Sequence, residues 1–293
     1  MALQAIAILS PGDMGHGVGR VLGEHGYAVL TCLAGRSART RELAARAGME
    51  DVPSLEELVS RTDLVLSILP PSRAAALAGD VAAAIRATAE PVTVADCNAV
   101  SPQTAVEIGA LIGAAGGSFI DAGIIGRSPA GGAVPRIYTS GPAADLMDEL
   151  DGAGVFVRNL GPAVGRASAI KMCYASLTKG TAALQLAMLA AAHSLGLYGE
   201  LAEELRQSQG TALAAMERRL PGVPANAGRW IGEMEEIAAT FEAAGVTPRF
   251  HQGAAEMFRL LARTPFAEED PESIDPKRTL EETVRALAAV RAR

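Results

Sequence analysis

The chain of 293 residues is 49% hydrophobic, which is enough to build one large or two ordinary domains around a buried core. A formal net charge of −7 excludes an extended nucleic-acid or acidic-membrane surface, so we expect a small-molecule partner, no nucleic acid and no membrane. The three cysteines are odd in number and far apart, which argues against a disulfide framework and a zinc site. We expect a cytoplasmic protein that binds no metal.

Short apolar runs alternate with alanine-rich helical patterns from Leu3 to about Val157. We predict β-strands at Ala5–Leu9, Ala28–Leu33, Leu64–Leu69, Val92–Ala95, Phe119–Asp121, Arg136–Ser140 and Val155–Arg158. Strands that are separated by helices pair in parallel through right-handed crossovers. This half of the chain is therefore predicted to be an α/β domain, with a doubly wound sheet of the Rossmann type.

The pattern changes after Gly165. Residues 167–195 contain no proline and a single glycine, their apolar residues recur at helical spacing, and no later segment resembles a strand. We predict a Rossmann domain over residues 1–164 and an all-α domain over residues 165–293. The first long helix of the second domain has an apolar stripe that must meet another helix, from this chain or from a second copy, and we expect a homodimer through the helical domain.

A glycine pair follows the first predicted strand. Gly12 and Gly15 stand where a strand turns into a helix, an arrangement that presents backbone N–H groups to a pyrophosphate. Ser10 occupies the first position of the usual G-x-G-x-x-G, and the motif alone is equally compatible with an ordinary strand–turn–helix. Its place at the start of an α/β domain favours a dinucleotide site, with Gly12, Asp13, Met14 and Gly15 at the cofactor.

The segment after the second strand predicts which cofactor is used. NAD enzymes have an acid there that binds the ribose 2′-hydroxyl, and none occurs between Gly26 and Arg41. Arg36, Ser37 and Arg39 instead offer two guanidinium groups and a hydroxyl to an NADP 2′-phosphate. We predict NADP over NAD; the alternative is a solvated turn before a helix.

Four segments, in order and spacing, resemble the β-hydroxyacid dehydrogenase superfamily, which includes 3-hydroxyisobutyrate dehydrogenases and shares its fold with 6-phosphogluconate dehydrogenase. They are the Pro11–Gly15 turn, Asp96–Pro102 at the place of D-x-S-T-x-x-P, Asp121–Arg127 at the place of D-A-P-V-S-G-G, and Gly161–Lys171 before the helix with K-x-x-N-N. The resemblance covers nearly the whole chain. It implies an oxidoreductase that transfers a hydride between a nicotinamide cofactor, here predicted to be NADP, and a small hydroxy acid or its carbonyl counterpart.

The chain also departs from the pattern of this superfamily. Ile125 replaces the serine that helps to hold the substrate carboxylate, Arg127 replaces the second glycine, and Tyr174 and Ala175 replace the two asparagines after the lysine. These departures indicate a branch with a poorly characterised C-terminal helical domain. The resemblance therefore supports the reaction type better than the substrate.

Hydride transfer to a carbonyl requires a group that both donates and accepts a proton. Arginine is unsuitable because its pKa exceeds about 12, whereas a desolvated lysine can lose its proton. The resemblance places the catalytic lysine at Lys171, which we predict to be the general acid and base; the alternative is a lysine on the helix surface. Only three of the 26 basic residues are lysines. Lys179, about 80° around the helix, is predicted to form a salt bridge or an interface, and Lys277 is expected to matter less.

Several residues are predicted to surround the ligands. Asn98, just after a strand, would donate to the substrate or to the nicotinamide ribose. The segment Pro70-Pro71-Ser72 resembles the turn that passes over the cofactor in this superfamily, and Leu69 and Pro70 are predicted to contact the cofactor. Tyr174, one helical turn from Lys171, would meet the substrate, or it is a helix-packing tyrosine.

The predicted substrate loop is Gly126, Arg127 and Ser128, in which the Arg127 guanidinium suits a carboxylate, or else points to solvent. Glu235 and its neighbour Glu236 occupy the place of a Lys-Asp pair in relatives. Glu235 is our candidate for contact with an amine-bearing substrate, although a solvated acidic face is the favoured alternative.

Two other functions stay open. The first is an imine reductase of the same fold: such enzymes generally have another residue at the position of Lys171, while Tyr174 and the nearby acids leave room for an iminium. The second is an NADP-sensing binding protein without catalysis, against which the retained lysine argues.

Overall fold

The computed structural model describes residues 3–270 and 272–290, and its N-terminal part contains an eight-stranded sheet. The strands are β1 (Ala5–Leu9), β2 (Ala28–Thr31), β3 (Glu50–Asp51), β4 (Leu64–Ser67), β5 (Thr93–Asp96), β6 (Ser118–Ile125), β7 (Arg136–Ser140) and β8 (Phe156–Asn159). Their order is β3-β2-β1-β4-β5-β6-β7-β8. Because the chain proceeds from β1 to β2 and β3 on one side and through β4, β5 and β6 on the other, the sheet is doubly wound, as predicted.

Helices connect the parallel strands and then form the rest of the chain. The first group is α1 (Asp13–Glu24), α2 (Ala38–Arg46), α3 (Leu55–Ser60), α4 (Ala74–Thr88) and α5 (Pro102–Ala114). The second group is α6 (Arg166–Ser194), α7 (Tyr198–Ser208), α8 (Gly210–Arg219), α9 (Pro224–Ala243), α10 (Arg249–Leu261) and α11 (Leu280–Ala289). Within the described residues no strand follows α6, so the predicted change from α/β to all-α is confirmed. No helix of the described residues is long and apolar enough to span a membrane.

Two features of the sheet differ from the prediction. Strand β3 was not predicted, because its two residues, Glu50 and Asp51, are charged and exposed. Strand β7 runs antiparallel to β6, whereas the strand pattern predicted parallel pairing. The reason is the connection: the short segment from Gly126 to Pro135 contains only a 3-10 turn, and a parallel neighbour would require a crossover of a dozen or more residues.

Alternation along β1 divides the core into two layers. Ile6 and Ile8 pack with α1 and α2 on one face of the sheet, whereas Ala7 and Leu9 pack with α3, α4 and α5 on the other. This period of two is the geometry of a strand that is buried on both faces. Fully burying each of the large side chains contributes about 1.5–3 kcal/mol, so both layers stabilise the sheet.

The chain divides into two compact units, one that ends at Tyr174 and one that begins at Ala175. The division falls inside α6, beyond residue 164, and the domain boundary at 164 stays a prediction. In the helical unit, α9 and α10 pack against each other around Phe258, with Met234 and Ile237 equally buried.

Candidate active site

The turn between β1 and α1 has the geometry of a phosphate-binding loop. Gly12 precedes the first residue of α1, and its N–H donates to the Ser10 carbonyl over 2.7 Å. A Cβ on Gly15 would lie 3.1 Å from that carbonyl oxygen and 3.3 Å from Ile8 Cγ2, so only glycine lets the helix lie this close to the strand. The first N–H groups of a helix lack intrahelical acceptors, and this turn leaves them at the carboxyl edge of the sheet. These features fit the pyrophosphate of a dinucleotide.

Ser10, which replaces the usual first glycine, adopts a left-handed backbone with φ of 64°. Such a conformation is unfavourable for a residue with a Cβ, by about 1–2 kcal/mol. The fold therefore keeps the turn of the dinucleotide motif although the sequence lacks its first glycine.

The three residues predicted to select NADP lie together after β2. Arg39 donates to the Asp13 carboxylate over 2.6 Å, which connects the start of α2 to the start of α1. The Ser37 hydroxyl accepts from the backbone N–H of Thr40 at 3.2 Å and so caps α2. Arg36 is half-buried in the same turn.

An acid does lie beside this turn, although none occurs in the contiguous segment. Asp51 on β3 accepts from the backbone N–H of Leu33 at 2.9 Å, and Arg41 donates to the carbonyl of the same residue at 2.6 Å. Arg41 also stands 3.7 Å from the Asp51 carboxylate. The carboxylate is thus engaged in holding the end of β2. Sequence reasoning missed it because strand pairing, not proximity along the chain, brings it there.

The start of α6 is anchored by a buried acid. Asp121 on β6 has no exposed surface, and its Oδ2 accepts from the backbone N–H groups of Gly165, Ala167 and Ser168 at 2.9–3.1 Å. The hydroxyls of Ser140 and Ser168 donate to the same carboxylate, at 2.9 and 2.5 Å. A carboxylate at a helix N-terminus satisfies N–H groups that have no helical partner and interacts favourably with the helix dipole. This contact fixes where α6 begins and therefore where its side chains lie.

Lys171 is placed by this anchor and by a glycine. A Cβ on Gly123 would lie 2.9 Å from Lys171 Cβ and 2.9 Å from the Ala167 carbonyl oxygen, so the absence of a side chain at Gly123 lets α6 contact β6. The half-buried Lys171 ammonium donates to the backbone carbonyl of Ile124, near the end of β6. The ammonium nitrogen therefore lies at the same sheet edge as the turn after β1.

Asn98 connects the ends of β4 and β5. Its carboxamide oxygen accepts from the Leu69 backbone N–H at 2.6 Å, and its Nδ2 donates to the Ser67 hydroxyl at 3.0 Å and to the Asp96 carboxylate. Both amide protons are thus engaged within the protein, so a contact from Asn98 to a ligand would use the second lone pair of its oxygen. Its ligand role stays a prediction. Its structural role is to hold the backbone at Leu69, from which Pro70 continues the turn.

The predicted substrate loop packs against α1, the helix that follows the turn at Gly12. A Cβ on Gly17 of α1 would lie 2.2 Å from Ser128 Oγ and 3.0 Å from the backbone nitrogen of Ala130. Arg20, one turn further along α1, donates to the Pro129 carbonyl at 3.1 Å. Helix α1 thus fixes one side of the loop. Sequence reasoning did not single out Gly17.

The other two members of the predicted loop lie beside this contact. Gly126 has a φ of 132°, a conformation that favours glycine, and it is exposed, as is Arg127. The structure therefore leaves the predicted contact of Arg127 with a substrate carboxylate as a prediction.

The remaining candidates lie on helices. Tyr174 is 46% exposed, and its hydroxyl makes no hydrogen bond to another residue of the described part of the chain. In the helical unit, Glu235 is exposed and forms an ion pair with Arg259, so its contact with substrate stays a prediction. The buried acid of this segment is Glu233, which stands 2.5 Å from Lys179 in the salt bridge expected for that lysine.

Comparison with known proteins agrees with this geometry. A family model described as the NAD binding domain of 6-phosphogluconate dehydrogenase matches residues 5–148, and a domain of unknown function (DUF1932) matches residues 192–261. A protein of Methanothermus fervidus, described as an uncharacterized 28.5 kDa protein in the 7S RNA 5′ region, is 34% identical over 62% of this chain and 68% of its own.

A solved structure of a conserved protein of unknown function, reported to be structurally similar to 3-hydroxyacid dehydrogenases, is 30% identical. The match covers 88% of this chain and 96% of that one, with a TM-score of 0.63. The chain belongs to the β-hydroxyacid dehydrogenase superfamily. Within it, the poorly characterised helical domain marks a distinct branch, as the sequence predicted.

More distant structures share the fold of this superfamily member. The 3-hydroxyisobutyrate dehydrogenase of Mycobacterium tuberculosis is 21% identical with a TM-score of 0.66, and the match covers 100% of both chains. An imine reductase of Streptomyces aurantiacus is 18% identical with a TM-score of 0.53, and the match covers 96% of this chain and 99% of that one. The family assignment supports an oxidoreductase with a nicotinamide cofactor, and the turn at Gly12 has the shape that such a cofactor requires.

Proposed function

We propose that this protein is an NADP-dependent oxidoreductase that interconverts a small hydroxy acid and its keto or semialdehyde counterpart, with Lys171 as general acid and base. The observation that carries the proposal is the position of the Lys171 ammonium at the end of β6, on the sheet edge that also holds the turn at Gly12. The bound cofactor supplies or accepts the hydride. The chain must then handle one proton at the substrate oxygen.

Lys171 suits this task. In the reducing direction the carbonyl carbon gains the hydride, the C–O π bond breaks toward oxygen, and the ammonium gives that oxygen a proton. In the oxidising direction the neutral amine accepts the hydroxyl proton as the hydride leaves. The bond from the ammonium to the Ile124 carbonyl orients the group, and partial burial reduces competition from water.

NADP preference is part of the proposal. Arg36 and Arg39 provide two permanent cations after β2, of which Arg39 is paired with Asp13. The carboxylate that β3 brings to this turn, that of Asp51, is engaged by Leu33 and Arg41. A 2′-phosphate would gain charge-assisted hydrogen bonds here, whereas a 2′-hydroxyl would not gain the usual contact with a free carboxylate.

We also propose a homodimer through the helical domain. Leu177 and Leu184, two turns apart on α6, are about 70% exposed, and Phe250 on α10 is exposed as well. They line an apolar groove of about 530 Å³. A contiguous apolar face of this kind is typical of an interface, and a second copy of the same helix offers a matching surface. Light scattering of the wild type and of a Leu177→Glu, Leu184→Glu double variant tests the assignment, because the double variant should be monomeric.

An imine reductase is the second candidate. The observation in its favour is Tyr174, whose hydroxyl is exposed one turn from Lys171 and has no partner within the described residues. A non-catalytic NADP-sensing protein is the third candidate, and it predicts cofactor binding without turnover of any substrate.

One assay separates the three functions. Consumption of NADPH and of NADH is followed with keto acids, semialdehydes and cyclic imines, using the wild type, Lys171→Ala and Lys277→Ala. The proposal expects turnover of carbonyl acids, a loss of about 10²–10⁴-fold in kcat for Lys171→Ala, and little change for the exposed Lys277. Turnover of imines alone would favour the second function. Undiminished activity of Lys171→Ala would refute the mechanism.

A further inference from the structure

Two acids lie side by side in the sheet, and the mechanism above uses neither directly. Asp96 ends β5 and is opposite Asp121 of β6 in the parallel register. Both are buried, with 2% and 0% of their surface exposed. Their surroundings differ, however. Asp121 accepts five hydrogen bonds, whereas Asp96 Oδ2 is buried without a hydrogen-bond partner among residues 3–270 and 272–290.

The other oxygen of Asp96 contacts Asn98, the residue that holds the backbone at Leu69. Asp96 Oδ1 accepts from Asn98 Nδ2, which turns the opposite end of that carboxamide toward Leu69. Asn98 Oδ1 then accepts the Leu69 backbone N–H, directly before the turn at Pro70. Without the bond to Asp96, only the bond from Asn98 Nδ2 to the Ser67 hydroxyl would hold that end of the carboxamide, and the acceptor of the Leu69 N–H would be less firmly fixed.

We propose that Asp96 is a positioning residue for cofactor binding: its carboxyl group orients the Asn98 carboxamide, which holds the turn at Leu69 and Pro70 in the conformation that the cofactor meets. The inference rests on the proposed use of a nicotinamide cofactor. Asp96 is only 2% exposed and acts through Asn98 in this proposal, without direct contact with the cofactor or the substrate.

The charge of Asp96 changes in a useful pH range. Burial raises the pKa of this carboxyl to about 7, the hydrogen bond from Asn98 opposes that rise, and the negative charge of Asp121 adds to it. Cys97, the next residue along the chain, is buried, and burial raises the pKa of its thiol well above the ordinary value, so it stays neutral.

The neighbouring elements contribute few other charges. Strand β4 offers the uncharged Ser67 opposite Asp96. Helix α5, which packs on β5, has one acid, the exposed Glu107. Helix α6, whose first N–H groups donate to Asp121, has the exposed Arg166 and the half-buried Lys171 in its first turns. Asp121 is therefore the charged neighbour that acts most strongly on Asp96.

The ionised carboxylate accepts a charge-assisted hydrogen bond, which is roughly twice as strong as a neutral one. The Asn98 carboxamide, and with it the turn, is thus held more firmly above pH 7 than below it. Cofactor affinity is expected to fall when the pH is lowered from 8 to 6. An Asp96→Asn variant keeps the shape of the protonated form and cannot ionise.

The experiment measures the Kd of the full-length protein for NADPH by fluorescence at pH 6, 7 and 8, together with kcat. The variants are Asp96→Asn, Asp96→Ala and, as a control, Asp80→Asn at an exposed position on α4. The 2′-phosphate titrates identically with every variant, so differences between the profiles belong to the protein. Binding of NADPH by the wild type tests the proposed function; the differences among variants test only the present inference.

Between pH 6 and pH 8, the affinity of the wild type for NADPH should rise by a factor at least three times larger than that of Asp96→Asn. Asp80→Asn should follow the wild type. Asp96→Ala should raise Kd at least tenfold while changing kcat less than threefold. If Asp96→Ala does not fold, comparison of the wild type with Asp96→Asn, in the dependence of Kd on pH, still tests the proposal. Parallel profiles, or a loss in kcat without a change in Kd, would overturn the proposal.

Discussion

Gly123 on β6 lies directly against Lys171 on α6, with room for no side chain between them: an added Cβ would stand 2.9 Å from Lys171 Cβ. The position of the proposed acid and base is therefore decided by the smallest residue of the strand beneath it. The glycine acts through close approach of a helix and a strand, and its role concerns geometry more than chemistry.

A Gly123→Ala variant should lose activity. The new methyl group must push α6 away from β6, which costs about 1–3 kcal/mol of stability and moves the Lys171 ammonium from the Ile124 carbonyl. We expect kcat to fall by about tenfold or more, since misplacement by 1 Å costs up to about 10². The control is Gly79→Ala on α4, where a Cβ would meet nothing within 4 Å; it should leave kcat unchanged and stabilise the helix by about 0.5–1 kcal/mol.

An Asp121→Asn variant should destabilise the N-terminal unit. The amide keeps one neutral acceptor oxygen for the three backbone N–H groups, which lose their charge-assisted bonds, and its NH2 group faces the Ser168 hydroxyl, which loses its carboxylate acceptor. We expect a loss of at least about 3 kcal/mol in the free energy of unfolding, measured in urea. Asp145→Asn, at an exposed acid of the same unit, should stay within about 0.5 kcal/mol of the wild type. Equal stabilities of the two variants would contradict the anchoring role.

Arg36→Ala should change the cofactor preference. Loss of one guanidinium from the turn after β2 should raise KM for NADPH by about 10- to 100-fold, in line with the strength of a charge-assisted hydrogen bond, and leave KM for NADH nearly unchanged. The control is Arg46→Ala, at an exposed arginine in the last turn of α2, which should affect the KM of neither cofactor. An equal effect of Arg36→Ala on both cofactors would rule out a contact specific to the 2′-phosphate.

Gly17→Ala should affect the substrate more than the cofactor. Its Cβ would lie 3.0 Å from the backbone nitrogen of Ala130 and nearer still to the Ser128 hydroxyl, so the loop after β6 must move. We expect a several-fold rise in KM for the carbonyl acid, with Kd for NADPH changing less than twofold. Gly113→Ala on α5, where a Cβ meets nothing within 4 Å, is the matched control. A loss confined to NADPH binding would place the effect at the phosphates instead.

Asp96 also predicts how stability depends on pH. Its pKa is raised from 3.8 to about 7 in the folded chain, so the unfolded chain loses this proton at lower pH than the folded chain does. The contribution of this group to the free energy of unfolding therefore falls as pH rises from about 4 to about 7 and is constant above that range. The full difference is on the order of 4 kcal/mol. Asp96→Asn should remove this pH dependence. In urea titrations, the free energy of unfolding of the variant minus that of the wild type should therefore grow between pH 4 and pH 7. A constant difference would contradict the buried, titrating carboxyl.

Local signals determined a large part of this fold. Strands β1 and β7 have the predicted bounds, and β1 is the continuous apolar run that a strand buried on both faces requires. The turn at Gly12 could also be predicted from the sequence, because close approach of the helix to the strand requires a glycine at position 15. The choice of Lys171 came from the order of motifs, and the structure adds the carbonyl that orients it.

Only the tertiary structure decided which side chains are already engaged. Asn98 was predicted as a donor to ligands, yet both of its amide protons are used by groups on β4 and β5. Asp51 lies beside the end of β2 although it is distant along the chain from Leu33. The sequence shows neither fact, because the pairing register of neighbouring strands, which depends on packing of the whole sheet, sets the contacts of each polar group. The order of the motifs, through the family resemblance that they carry, indicated the class of chemistry, and the packing of β5, β6 and α6 decided which groups remain available to perform it.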